Sequence, residues 1–210
     1  MEQRKVSALV LALLGAFVCM VTQGCSGTKT TPQPPGGLLD EFTRLDTSIW
    51  SVSKGQPAVE DGWLVLTSTP GQGEEVQSHR SFKYGSLEFK ATSEHWPVDS
   101  SLGAECWTGS IHRAIVVTNG HLGIIDQSKG SPNEWYQRIP DWDSIKDEAH
   151  VFKIVWTSGK IELLMDGKSV LTYEGSLVPD SDLKVRLNAS NDYNDTIRVD
   201  RVSVSENAQQ

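Results

Sequence analysis

The sequence predicts an all-β domain, two antiparallel sheets packed face to face as a β-sandwich of the jelly-roll kind. Two positive observations predict it. Apolar and polar residues alternate with period two in many short runs, among them Gly85-Ser86-Leu87-Glu88-Phe89-Lys90-Ala91 and Lys184-Val185-Arg186-Leu187-Asn188-Ala189. Such runs are separated by Asn-Gly, Asp-Gly and Ser-Gly pairs, which suit two-residue hairpin turns. A third observation is negative: no stretch of helix length carries apolar residues on one helical face. Many short strands with turn signals at this spacing build a sandwich or jelly roll.

The elements follow in chain order. Arg4 and Lys5 precede an apolar run over residues 6–21, a charged region followed by a hydrophobic one of secretory length. That run is shorter than the ~20 residues a membrane-spanning helix needs, so export is expected rather than a transmembrane anchor. Thr22-Gln23-Gly24-Cys25-Ser26 then resembles the lipobox of bacterial lipoproteins, with Thr22 and Gln23 where an aliphatic and a small residue are usual. Residues 1–24 are thus read as a signal peptide and Cys25 as the lipidation site, with ordinary cleavage nearby as the alternative. Residues 26–37 hold no large apolar side chain and are rich in Pro and Gly, the composition of a flexible tether. Residues 38–210 remain as one domain.

Within that domain, Trp63-Leu64-Val65-Leu66-Thr67 is a strand entered through Asp61-Gly62. Residues 111–118 and 121–125 form a hairpin about Asn119-Gly120. Residues 151–157, 160–165 and 168–173 read as three strands joined at Ser158-Gly159 and Asp166-Gly167. Near the end, Ile197 and Val199 share one phase while Val202 and Val204 take the other, so a bulge is expected near Asp200-Arg201.

Composition excludes several functions. The 210 residues carry 19 Lys and Arg against 27 Asp and Glu, a net charge of −8, and the cations are scattered. Phosphate neutralisation needs a basic footprint, so no nucleic-acid partner is expected. Of three cysteines, Cys19 leaves with the signal and Cys25 is assigned the lipid, so Cys106 alone stays in the domain and no disulfide framework is possible. Its alternation with Leu102 and Ala104 predicts a small buried hydrophobe. Asn191-Asp192-Tyr193-Asn194-Asp195 offers oxygen ligands, but Asn and Asp are also the usual turn formers, and a turn is expected there. No metal and no cofactor is expected.

Several segments resemble a known family. Phe42-Thr43-Arg44-Leu45-Asp46-Thr47-Ser48-Ile49-Trp50, then residues 76–90, then His150-Val151-Phe152-Lys153-Ile154-Val155-Trp156 leading to Met165-Asp166-Gly167-Lys168, and Asp195-Thr196-Ile197-Arg198-Val199-Asp200, occur in the order and spacing seen in family 16 glycoside hydrolases. The set is similar to that family and its concanavalin A-like relatives across most of residues 39–205. The resemblance implies a jelly roll whose concave face, in relatives, holds sugar polymers.

The chemistry departs from the family. Its hydrolases carry a Glu-x-Asp-x-x-Glu type strand, because alternation puts carboxylates on one face and retention needs a pair only ~5 Å apart. No such triplet exists between Gly85 and His150. The nearest strand, Leu102-Gly103-Ala104-Glu105-Cys106-Trp107-Thr108, offers Glu105 alone. Glu105 and Trp107 share its outward phase, a carboxylate for hydroxyls beside a flat apolar surface for C–H faces. His112 or Arg113 joins that face, depending on register. Trp96, Trp135, Tyr136 and Trp142 lie in segments with few strand signals and are read as loop aromatics around the concave side, whereas Trp50, Trp63 and Trp156 are read as core.

Two readings follow. The first is a non-catalytic carbohydrate-binding or surface-interaction module, exported and tethered to a membrane of the cell envelope, whose partner is a polysaccharide or surface glycan bound by Glu105, Trp107, His112, Trp96, Trp135 and Trp142. The alternative is a diverged hydrolase or polysaccharide lyase in the same groove, with Glu105 as its candidate catalytic group.

Overall fold

A computed structural model describes residues 37–93, 95–96, 100–130, 133–190 and 194–206. The expected signal peptide, Cys25, the tether as far as residue 36 and Asn191-Asp192-Tyr193 lie outside the described residues. In chain order the first strands are β1 (Leu38–Asp40), β2 (Trp50–Lys54), β3 (Ala58–Glu60), β4 (Trp63–Ser68), β5 (Glu74–Phe82), β6 (Gly85–Ser93) and β7 (Ser101–Thr108). There follow β8 (Ile111–Thr118), β9 (His121–Asp126), β10 (Glu134–Arg138) and one helical turn, α1 (Trp142–Ile145). The rest are β11 (His150–Thr157), β12 (Lys160–Met165), β13 (Lys168–Glu174), β14 (Leu183–Ala189) and β15 (Asp195–Glu206).

The strands form two antiparallel sheets. One runs β13-β12-β11-β6-β15-β4-β3, with β1 beside β15, and the other runs β10-β9-β8-β7-β14-β5-β2. Strands distant in sequence meet at both centres, β6 between β11 and β15 and β14 between β7 and β5. Period-two alternation places the core between the sheets: β6, β11 and β14 bury every second residue. Leu87, Phe89, Phe152, Ile154 and Trp156 come from one sheet, and Leu102, Ile115, Leu122, Val185 and Leu187 from the other. Each such side chain contributes ~1.5–3 kcal/mol by leaving water.

The hairpins fall where expected. Asn119 and Gly120 both have positive φ between β8 and β9, as do Asp166 and Gly167 between β12 and β13, whereas at Ser158-Gly159 only the glycine does. The pairing of β15 with β6 shifts register between Val199 and Val202, the bulge foreseen at Asp200-Arg201.

Other expectations need correction. The segment around Trp135 and Tyr136 is not a loop but the edge strand β10, paired with β9 from Glu134 opposite Ile125 to Arg138 opposite His121. Trp63 is not buried; it lies on the outer face with the Lys90 ammonium 4.9 Å above its ring. Cys106 is half-buried, its sulfur 3.7 Å from the Ser181 hydroxyl.

Candidate functional site

β7 is central to the site. Leu102 and Ala104 point into the core, so Ser101, Gly103, Glu105 and Trp107 take the outer face of the seven-stranded sheet. Register then fixes their neighbours. Glu105 lies opposite Lys184 and Ala114, Trp107 opposite His112, and Gly103 opposite Arg186 and Val116. Arg113, by contrast, pairs with Asp126 at 3.2 Å, so His112 is the residue that shares the Glu105 face.

A groove of about 540 Å³ runs over this face, lined among others by Glu105, His112, His121, Asn119, Tyr136 and Arg186. A second depression of about 370 Å³ adjoins it, with Trp107, Glu75, Asp182 and Lys184 on its wall and Arg186 common to both. Ala114, Val116 and Ile125 form a small apolar patch on the same face. Gly123 makes room for Tyr136: a Cβ there would stand 2.6 Å from the tyrosine ring.

Glu105 is 2% exposed and every contact it makes stabilises its anion. It accepts hydrogen bonds from Ser101 Oγ (2.8 Å), His112 Nε2 (3.1 Å) and Arg186 Nη1 (2.6 Å). The other amino group of Arg186 bonds to Glu75 on β5. Burial alone would raise the Glu105 pKa, but the His112 bond, the Arg186 charge and the Ser101 hydroxyl together bring it below the ordinary carboxylate value. Arg186 is held charged in the same way, its pKa raised by the two carboxylates against the effect of burial. The arrangement is a bridged ion network in which Glu105 is already committed.

Beside the network is an aromatic slab. Trp107 stacks on the His112 imidazole with centroids 4.0 Å apart and planes 4° from parallel, and Trp107 is 56% exposed. His112 is fixed from four directions. Its ring meets Trp107 and Glu105, its N–H donates to Gln127 Oε1 (3.0 Å), and its carbonyl accepts from the Gln127 N–H (3.0 Å).

The fold is the concanavalin A-like jelly roll. A laminarinase from Flavobacterium sp. UMI-01 matches with a TM-score of 0.61 at 17% identity, covering 80% of this chain and 99% of that one. A prokaryotic β-1,3-1,4-glucanase (lichenase) derived from a mouse hindgut metagenome gives 0.64 at 16%, covering 81% and 99%. Bacillus licheniformis β-glucanase gives 0.63 at 15%, covering 83% and 100%. No protein-family profile and no curated protein matches this chain by sequence. The likeness is one of fold.

Against this jelly-roll frame, the sequence-predicted residues divide. Glu105, Trp107 and His112 are brought together as expected. Trp96 and Trp142 are not at the groove: they are 2% and 3% exposed and pack edge to face at 5.2 Å, each also against Phe152. Trp96 further donates its indole N–H to the Lys146 carbonyl, which caps that corner of the core. Trp135 points away from the Tyr136 side of β10 and packs against Tyr173 at 5.0 Å. Tyr136, at 47% exposure, is the aromatic of this set that lines the groove.

Sequence reasoning passed over Arg186, Glu75 and Asn188 as site residues. Arg186 was visible as the outward residue of a clearly alternating strand, but its partners Glu75 and Glu105 are 111 and 81 residues away. Among the described residues no cluster of metal-ligating side chains occurs.

Proposed function

We propose that this domain is a non-catalytic glycan-binding module of an exported, lipid-anchored envelope protein, with a polysaccharide lying along the outer face of the seven-stranded sheet. One observation carries the reading: the groove's buried carboxylate, Glu105, is enclosed by three donors and held as an anion. General-acid catalysis of glycoside cleavage needs a carboxyl that stays protonated near neutrality, and a lowered pKa opposes it. The exposed Trp107 and Tyr136 with amide and imidazole groups between them suit a saccharide's C–H faces and hydroxyl rim. The compared proteins are named for laminarin and mixed-linkage β-glucan, which makes those polymers the first to try.

One feature favours the diverged hydrolase instead. Glu75 and Glu105 lie on one face with only the Arg186 guanidinium between them, so a pair of carboxylates does exist there. A glycan array combined with a reducing-sugar assay on the same polymers separates the two. The module retains polymer and releases no product. Product release that vanishes in Glu105→Gln replaces it with the hydrolase.

The anchor rests on the Gly24-Cys25 motif and the Pro- and Gly-rich residues 26–37. With it the cell envelope is the proposed location, and the acidic chain argues for a glycan rather than a nucleic-acid partner. Cys25→Ser should move the protein from the membrane fraction to the soluble one.

A further inference from the structure

The groove contains two histidines whose protons are assigned by their neighbours. His121 Nδ1 lies 2.8 Å from the Asn119 carbonyl, which only accepts, so Nδ1 carries the proton and Nε2 is the lone-pair nitrogen of the neutral ring. His112 is arranged the opposite way round. Its Nε2 lies 3.1 Å from a Glu105 carboxylate that is ionised and acceptor-only, so Nε2 is the donor, and in the neutral ring Nδ1 holds the lone pair. Nδ1 has no hydrogen-bond partner among the described residues. Among the described residues no buried side-chain nitrogen or oxygen is left without a partner, so this nitrogen is open to solvent on a residue that lines the groove.

We infer that the Glu105–His112 pair fixes His112 Nδ1 as a hydrogen-bond acceptor facing the ligand, and that this acceptor selects a neutral saccharide unit donating a hydroxyl there over an acidic one. The inference rests on the glycan-binding reading and names the group that discriminates within it. Glu105 acts through His112 as a positioning residue: its carboxylate sets the tautomer, and the stack on Trp107 with the two Gln127 bonds sets the ring's orientation. A hydroxyl can donate to Nδ1, whereas a carboxylate or sulfate brings only acceptors to an acceptor and leaves both unpaired.

Charge points the same way. The cation that an acidic sugar needs is Arg186, and it is already divided between Glu75 and Glu105. Lys184 and Asp182 both stand on the neighbouring wall. Together these five charged groups carry a net negative charge, so an acidic polymer meets Coulombic repulsion on balance. Trp107, on the groove's shoulder, is free to stack a neighbouring unit of the same chain.

The test uses the folded protein with laminarin, mixed-linkage β-glucan and polygalacturonate, read by affinity electrophoresis, together with ¹⁵N NMR of the imidazole nitrogens. Before any ligand is added, His112 should show a protonated Nε2 and a bare Nδ1, and a neutral glucan should then shift Nδ1 on binding. His112→Gln keeps an amide able to reach Glu105 but has no Nδ1 acceptor. It should fold and lose on the order of tenfold in affinity for the neutral polymer, one hydrogen bond's worth, while polygalacturonate is not retained by either protein. A proton on Nδ1, unchanged affinity in His112→Gln, or tight binding of polygalacturonate overturns this inference and leaves the module standing. Failure to retain any of the three polymers overturns both.

Discussion

A buried charge costs several kcal/mol unless opposite charge and hydrogen bonds replace the water it gives up, and Glu105 and His150 show two ways of meeting that demand. Glu105 is matched from Ser101, His112 and Arg186 at the groove floor. His150, at the start of β11, is the inverse case, a buried base between acceptors. Its Nδ1 lies 2.7 Å from Asp166 Oδ2 and its Nε2 donates to the Ile145 carbonyl at 2.8 Å, so both nitrogens are best satisfied as donors. Burial opposes the charge, but the Ile145 carbonyl and the carboxylates of Asp166 and Glu148 raise the His150 pKa, while Asp166 is lowered against its own burial by the Val151 N–H and by His150. A raised folded-state pKa stabilises fully below the unfolded value of about 6.5 and the gain is lost as pH rises through the folded value. Urea unfolding should therefore show stability falling as pH rises above about 6.5, and His150→Gln should flatten that decline. An equal decline in the variant would assign it to other groups.

At the scale of elements, strands whose alternation is complete within themselves were legible from sequence, and those whose character depends on a distant partner were not. β8 to β9 and β11 to β13 carry their own turn signals and apolar phase. β10 is a short edge strand with three exposed polar residues, Glu134, Gln137 and Arg138, so its period is hidden and Trp135 and Tyr136 read as loop aromatics. Trp96 and Trp142 read as groove aromatics because what buries them, Phe152 and the β8–β9 turn, lies elsewhere in the chain. In the candidate site the outward phase of β7 was legible, whereas Arg186 acquires its meaning only when β14 is laid between β7 and β5. Two glycines of the β8–β9 hairpin make this testable. Gly120 has φ +70° and a Cβ there would stand 2.3 Å from buried Trp142, so Gly120→Ala should cost about 2 kcal/mol or more. Gly123 meets the half-exposed Tyr136 ring, which can swing aside, so Gly123→Ala should change stability by less than about 1 kcal/mol yet weaken glycan retention. Thermal melts and affinity gels on the two variants check the contrast, and equal losses of stability would contradict it.

For the molecule as a whole, sequence charge and sheet architecture bear on the same question, namely what kind of force holds a ligand to the groove. The chain carries a net charge of −8, and in the groove the Arg186 guanidinium is shared by two carboxylates, so the balance of charge opposes long-range attraction to a polyanion. What the outer face does offer, Trp107, Tyr136 and amide and imidazole groups, acts at contact distance. Contact forces of this kind are insensitive to ionic strength, whereas attraction between exposed charges is screened beyond about 10 Å at 0.1 M salt. Retention of laminarin or mixed-linkage β-glucan should accordingly stay within about twofold as sodium chloride is raised from about 0.05 to 0.5 M, a range over which the screening length falls severalfold. Affinity electrophoresis at the two salt concentrations measures it. A steep fall with salt would mean that charged groups carry the binding, and would move the ligand class from neutral to ionic polymers.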